Sequence, residues 1–241
     1  MQVTISRKVG RFVGDRRVIL FLILAAAFVA GRSWLAGHPE HDPTAPLNLN
    51  DPVGWATANK LAALRGDTAE CRASLTRSNV AVSALPAAGD GACARPDRTR
   101  LDAYPLSPSV PATTCDVGLA MELWRRHTLE PAARDLFGAE ITKVQHLGAY
   151  SCRRLYGRSE GAWSEHATGN AIDIAGFVLS DGTEISVLRD WDDDGPRGAF
   201  LRQVRDGACD VFSTTLSPDY NAAHADHFHL DKAGRWSGVC R

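Results

Sequence analysis

Two short histidine-containing segments constrain this chain more than any other feature of the sequence. Residues 164–173 read SEHATGNAID, and residues 224–231 read HADHFHLD. The first segment places a histidine seven residues before an aspartate, and the second supplies a His-x-His pair some fifty residues later. A lone His-x-His pair is common, but the joint pattern is specific. Because imidazole nitrogens and carboxylate oxygens are zinc ligands, it predicts that both segments meet around one divalent metal ion, with zinc the expected ion.

The aspartate of the first segment belongs to an apolar run that predicts a β-strand. Ala171 to Phe177 is rich in isoleucine and alanine. Alternate side chains of a strand share a face, so Ile172 and Ile174 are expected on one face and Asp173 on the other. Burying a carboxylate in such surroundings is costly unless its charge is compensated. A metal ion would supply that compensation.

The second segment predicts another short strand, from His227 to Leu230. Its alternation places Phe228 and Leu230 toward the core. His227 and His229 then share the opposite face, where a metal site requires them.

The number of candidate ligands indicates an open, catalytic metal site. A catalytic zinc ion usually has three protein ligands and a water, whose pKa it lowers to about 7. We predict that His166, Asp173 and His229 bind Zn²⁺. His227 is then free to act as an acid, a base or an oxyanion stabiliser.

These segments, together with residues 148–153, resemble a known bacterial family. The chain resembles the extensin-like C-terminal domain family from about Leu61 to Arg241. The metal motif of that family is similar to the motif of the lysostaphin, D-Ala-D-Ala carboxypeptidase and hedgehog type of zinc metallopeptidase. The resemblance implies the same three zinc ligands, an assisting role for His227, and D-amino-acid amides as the expected substrate class.

The resemblance also implies an arginine near the substrate carbonyl or carboxylate. Arg153 is the expected residue, with Arg154 and Arg158 as close competitors. Some peptidases of the group carry a glutamate as general base shortly before the last histidine. This chain has Asp226 and His227 there instead, so Asp226 is a candidate base, a residue that orients a histidine ring, or a turn cap.

The N-terminal 36 residues predict an export signal. Val18 to Gly31 is an unbroken apolar run preceded by Arg16 and Arg17. We expect an uncleaved membrane anchor over residues 1–36, with cleavage after Gly31 as the alternative. Three prolines then predict an extended, poorly packed linker over residues 37–50, followed by one domain over residues 51–241.

The charge distribution argues against nucleic acid as a partner of this domain. Residues 1–36 hold six basic residues and one acidic residue, and the remainder holds 21 basic and 27 acidic residues. A nucleic-acid-binding domain typically carries a basic surface instead.

Six cysteines follow the export signal, which predicts three disulfides in an oxidising compartment. Six cysteines allow 15 pairings, so the connectivity cannot be deduced from their spacing. Pairing neighbours in sequence gives Cys71–Cys93, Cys115–Cys152 and Cys209–Cys240. Zinc ligation by cysteine is the weaker alternative, because no Cys-x-x-Cys pair occurs.

We therefore expect an α+β fold with a small antiparallel sheet. One face of the sheet carries the zinc site, and helices drawn mainly from the N-terminal half pack on the other. The helical pattern is clearest from Cys115 to His127. Asp51 is a typical N-cap and Pro52 a typical first helical residue, so an earlier helix is predicted to begin there.

Two functions fit these features. The first is a periplasmic or otherwise extracytoplasmic zinc peptidase, held at the inner membrane by its N-terminal helix and acting on peptidoglycan stem peptides. The second is a non-catalytic, metal-containing module that binds the cell wall. Three ligands and one spare histidine favour the enzyme, because a purely structural site is usually closed by a fourth protein ligand.

Overall fold

The computed structural model describes residues 13–234 and 238–241, and these contain nine strands and seven α-helices. The strands are β1 (Val82–Ala84), β2 (Thr99–Leu101), β3 (Leu106–Ser107), β4 (Ile141–Gly148), β5 (Ala171–Leu179), β6 (Glu184–Ser186), β7 (Thr214–Leu216), β8 (Phe228–Asp231) and β9 (Val239–Cys240). The helices are α1 (Val13–Gly37), α2 (Thr57–Ala63), α3 (Thr68–Arg77), α4 (Cys115–Trp124), α5 (Glu130–Phe137), α6 (Val187–Asp190) and α7 (Pro196–Cys209).

Seven of these strands form one mixed sheet, in the order β3-β4-β5-β8-β7-β9, with β6 also paired to β5. The central pairs are antiparallel, as expected. The sheet is not wholly antiparallel, however, because β3 pairs with β4 and β9 pairs with β7 in parallel. Both exceptions lie toward the ends of the strand order, where short segments arrive from distant parts of the chain.

The longest strand, β5, changes its buried face partway along. Its register against β4 shifts near Ala175, which gives β5 one extra residue there. Ile172 and Ile174 are buried before this bulge, and Phe177 and Leu179 are buried after it. The bulge therefore keeps the second half of β5 in the core, while the position between the two isoleucines faces the other side of the sheet.

Helices from both halves of the chain pack on the core side. The indole Nε1 of Trp124, in α4, donates to the Val204 carbonyl of α7 at 2.7 Å. The same indole lies 6.0 Å from the ring of Phe177, which contacts Phe200 of α7 at 5.2 Å. The helical layer therefore also includes α7, from the C-terminal half of the chain, beside the helices of the N-terminal half.

The predicted helix from Cys115 to His127 is confirmed in its first ten residues as α4. The Thr114 hydroxyl caps it by accepting from the Val117 amide. The chain then passes through a π-helical turn, Arg125–Leu129, directly into α5. Trp124 and Glu130, on either side of this turn, keep helical backbone angles, so α4 and α5 form one continuous helical segment.

The predicted linker over residues 37–50 is wrong in its second half. Leu47 and Leu49 are buried in the core. The Leu49 amide donates to the Ser78 hydroxyl, and the Leu49 carbonyl lies 2.9 Å from Nε2 of His127. The segment packs because apolar residues among the prolines reach the helical layer.

The helix predicted to begin at Asp51 and Pro52 starts later, at Thr57. The Thr57 hydroxyl accepts from the Gly54 amide at 2.9 Å. The Ala56 amide donates to the Glu40 carbonyl, which ties this stretch to the preceding segment. These bonds hold the residues just before Thr57 in turns, and the helix begins only at Thr57.

The N-terminal apolar run forms α1, whose side chains are not buried in the domain. Its 25 residues are long and apolar enough to cross a membrane, although a signal sequence has the same properties. Past its end, His41 is stacked between Trp34 and Trp55 at centroid distances of 5.3 and 5.7 Å. Three of the six basic residues counted in residues 1–36, Arg7, Lys8 and Arg11, lie outside the described residues.

Three disulfides are present, and only one of the expected pairings is right. Cys209–Cys240 is confirmed, but the others are Cys71–Cys115 and Cys93–Cys152. Helix α3 packs on α4, which brings Cys71 to the start of α4. A short 3-10 helix, residues 91–93, packs near the first histidine segment and brings Cys93 to Cys152. Tertiary packing, not sequence order, decides both pairs.

We expect a non-reducing digest to yield a linked peptide pair containing Cys93 and Cys152, identified by mass spectrometry. Replacing both residues with alanine should lower the free energy of unfolding by about 4 kcal/mol, because a bridge with a sequence separation of 59 restricts the unfolded chain. Urea unfolding of the variant beside the parent measures this loss. A linked pair containing Cys71 and Cys93 would contradict the pairing.

Candidate metal centre

The first histidine segment forms a tight structure that fixes His166. The residue lies in a short 3-10 helix, Glu165–Thr168, which the Ser164 hydroxyl caps by accepting from the His166 amide. Gly169 ends this helix with φ of +72°, a conformation that favours glycine. The chain then enters β5 directly. The serine and the glycine of the motif therefore position the histidine relative to the strand.

The pairing of β5 with β8 brings Asp173 and His229 together. The two residues are direct partners in the antiparallel register. Side chains of such partners lie on the same face within a few ångströms of each other. Phe228 and Leu230, which flank His229, are fully buried, as the predicted alternation requires.

Three donor atoms converge at this point. Nε2 of His166 lies 3.1 Å from Oδ1 of Asp173 and 3.1 Å from Nδ1 of His229, and the last two atoms are 3.0 Å apart. A tetrahedral ion with bonds of about 2.0–2.1 Å separates its donors by roughly 3.3 Å, close to the spacing found here. Within the described residues this group can hold a metal ion.

The electrostatics of the group suit a cation. Burial alone raises the pKa of Asp173, but hydrogen bonds from His166 and His229 outweigh burial and hold the pKa well below its usual range. Asp173 is therefore a carboxylate at neutral pH. Its negative charge lies in a largely buried position and requires a positive partner.

Asp231 orients the ring of His229 from the side opposite Asp173, a role that the sequence analysis did not assign. Its Oδ2 lies 3.1 Å from Nε2 of His229, and its Oδ1 accepts from the Ala233 amide at 2.9 Å. Because a carboxylate accepts, the proton of the neutral ring belongs on Nε2, and the lone pair of Nδ1 points toward Asp173. The available signal was the position of Asp231, two residues after His229 on the same face of a strand.

His227 lies beside the three donors but makes a different set of contacts. Its Nδ1 is 2.7 Å from Oδ1 of Asp226, and its Nε2 is 3.6 Å from Oδ1 of Asp173. Asp226 therefore takes the orienting role among the alternatives considered for it. In the neutral tautomer the proton is on Nδ1, so the lone pair of Nε2 faces the cluster.

His224 is a fourth histidine of the site, and the sequence analysis gave it no role. Its ring lies 5.3 Å from the ring of His227, and its Nδ1 is 2.8 Å from the side-chain oxygen of Asn221. Burial and the nearby His227 and His229 lower its pKa to about 4. His224 is therefore neutral at physiological pH, and it lines the site with a polar, uncharged ring.

The cluster opens into a cavity of about 390 Å³. His166, Asp173, His229 and His227 line it together with Arg153, so all five predicted site residues reach one space. Arg154 and Arg158, the competitors of Arg153, are absent from this lining. The cavity is large enough for part of an extended ligand.

Residues 69–241 match the family model described as "Extensin-like protein C-terminus". The chain therefore belongs to this extensin-like family, and the match covers both histidine segments and all six cysteines. No curated protein and no solved structure match the chain.

Metal binding should become tighter as pH rises toward 9. Burial alone lowers the pKa of His229, but its hydrogen bonds with Asp173 and Asp231 outweigh burial and raise the pKa to about 9. A metal must displace this proton, so the apparent association constant for Zn²⁺ should rise about tenfold per pH unit between pH 6.5 and 8.5. Calorimetric titrations in two buffers of different ionisation enthalpy measure the released proton. Binding without proton release would contradict the assignment.

The same pKa shift predicts how the stability of the metal-free protein depends on pH. The folded-state pKa lies above the unfolded value of 6.5, so the contribution of His229 is complete below pH 6.5 and is lost as pH approaches 9. Urea unfolding in a chelator should therefore show falling stability across this window. The Asp231→Asn variant should show a smaller fall.

Asp231→Asn should also weaken Zn²⁺ binding by roughly 10- to 100-fold, because the ring of His229 loses its charged partner. The matched control is Asp219→Asn, since Asp219 is an exposed carboxylate that accepts from the Trp191 indole. Competition with a chromophoric chelator measures both affinities. Equal affinity in the two variants would remove the orienting role of Asp231.

Proposed function

We propose that this chain is an exported, zinc-dependent peptidase that acts on peptidoglycan peptides at D-amino-acid amide bonds. The observation that carries the proposal is the group of three donor atoms 3.0–3.1 Å apart at the wall of an open cavity. Two imidazoles and one carboxylate are a typical ligand set of catalytic zinc, and they leave one position for solvent or substrate.

The residues around the three ligands have the groups that amide hydrolysis requires. A zinc ion here would supply a Lewis acid and lower the pKa of a water molecule. His227, oriented by Asp226, would accept a proton at Nε2 and return it to the leaving amine. The guanidinium of Arg153 has no carboxylate within ion-pair distance among the described residues, and it would bind an oxygen of the substrate.

The disulfides and the apolar helix support the proposed compartment. Three disulfides and an N-terminal apolar helix are consistent with an extracytoplasmic protein. We place the domain in the periplasm, held at the inner membrane by α1. We propose peptidoglycan stem peptides as the substrate there, and the resemblance to D-Ala-D-Ala carboxypeptidases supports this choice.

The test uses the full chain in detergent micelles with its disulfides formed. Elemental analysis should give about one zinc ion per chain, and mass spectrometry should detect peptide fragments released from purified peptidoglycan. His166→Ala should lose both the zinc and the fragments. His227→Ala should keep the zinc and lower the rate by about 10²- to 10⁴-fold, because it removes only proton transfer.

The matched control is His38→Ala, which removes a histidine near the end of α1, outside the cavity. It should leave zinc content and rate unchanged. Zinc without fragments in the parent protein would favour the alternative, a non-catalytic metal-containing module that binds the cell wall. A parent protein without zinc would overturn the proposal.

A further inference from the structure

The cavity has a projecting lip, residues 153–163, immediately before the first histidine segment. The Leu155 amide donates to the Ala162 carbonyl, and the Ser164 amide donates to the Arg153 carbonyl. These bonds close the segment into a narrow loop. Since Ser164 caps the helix that holds His166, the lip is attached directly to the metal cluster.

The lip exposes apolar side chains at the mouth of the cavity. Leu155, Tyr156 and Trp163 are 44%, 56% and 41% exposed, and the first two line the cavity. Tyr156 has φ of +57°, an unfavourable conformation for a residue other than glycine. Exposed apolar groups grouped at a cavity and held at a backbone cost indicate a ligand surface.

The aromatic rings of the lip are paired with arginines. Cζ of Arg154 lies 4.5 Å from the ring centroid of Trp163, and Cζ of Arg158 lies 5.7 Å from that of Tyr156. An arginine over a ring covers one of its two faces and keeps its guanidinium N–H groups able to donate hydrogen bonds. The lip therefore presents guanidinium groups beside its aromatic rings.

The lip carries more basic than acidic residues. Arg153, Arg154 and Arg158 face a single acid, Glu160, within residues 153–163. Neither Arg154 nor Arg158 has a carboxylate within ion-pair distance in the part of the chain that the structure describes. The side chain of Arg154 instead donates to the Gly161 carbonyl within the lip. The lip is thus basic on a domain that is acidic overall.

We propose that the lip binds an acidic peptide, with Arg154 and Arg158 contacting a side-chain carboxylate and Tyr156 packing against the adjacent backbone. Guanidinium groups bind carboxylates in paired hydrogen bonds. The net negative charge of the domain disfavours long phosphate polymers, and leucine beside tyrosine suits aliphatic peptide groups. The inference rests on the proposed function for its substrate, because it extends the peptide from the cluster into the lip.

Binding is measured on the metal-free full chain in chelator, so that hydrolysis cannot interfere. The probes are fluorescein-labelled Ala-Glu-Ala-Ala-Ala and Ala-Gln-Ala-Ala-Ala, both C-terminally amidated, each made from L- and from D-residues. Fluorescence anisotropy should show about tenfold tighter binding of a glutamate peptide than of its glutamine counterpart. The preference should weaken in high salt.

The double variant Arg154→Gln and Arg158→Gln should abolish the preference. Its matched control, Arg189→Gln and Arg197→Gln, removes the same charge from another surface and should keep it. If the double variant fails to fold, Arg158→Gln alone replaces it, because this variant keeps the hydrogen bond from Arg154 to the Gly161 carbonyl. Arg158→Gln should reduce the preference. Equal binding of both peptides, or a preference that survives in the lip variants, would overturn the inference.

Two further readouts separate the possible failures. An oligogalacturonate that displaces the glutamate peptide as well as unlabelled peptide does would assign the lip to acidic glycans and overturn the peptide assignment. A charge preference in a protein that releases no fragments would leave the lip in place and remove only the peptidase. Fragment release without a charge preference would remove only the lip inference.

Discussion

A largely buried carboxylate at Asp173 is the constraint on which the site depends. It lies on a strand between two isoleucines that are fully removed from solvent. Its charge is costly there, and His166 and His229 compensate it through hydrogen bonds of 3.0–3.1 Å. Without metal, the protonated, positively charged ring of His229 stabilises the carboxylate. A divalent cation would displace the proton from this ring and compensate the carboxylate charge more strongly.

Backbone structure fixes the positions of the residues that form the site. Asp173 and His229 are fixed by strand register, and His166 by a capped helix that ends in a left-handed glycine. The bulge in β5 allows one strand to face the site in its first half and to enter the core in its second half. Arg153 follows a disulfide-linked cysteine, so the loop that bears it is also restrained.

Sequence reasoning predicted those features of the site that local periodicity encodes. The alternation around Asp173 and His229 placed both residues on one face of their strands, and the structure agrees. Asp231 follows the same alternation but was missed, because a carboxylate that orients a histidine has no motif of its own. The pairings of Cys71 and Cys93 were predicted wrongly because disulfide connectivity depends on how helices pack, which spacing does not record. The burial of Leu49 was missed for the same reason.

The two parts of the site have different chemical consequences. In the proposed peptidase, a zinc ion held by two imidazoles and one carboxylate would activate water for many amide substrates, so the cluster would determine the reaction more than the substrate. Discrimination between substrates requires contacts away from the reacting bond. In this chain those contacts are available on the arginine-rich lip, whose exposed Tyr156 lines the same cavity as the three donor residues. Changes in the lip should therefore alter the substrate preference of the proposed peptidase without disturbing the three donor atoms, since the lip joins the cluster through the backbone of Ser164 and contributes none of them.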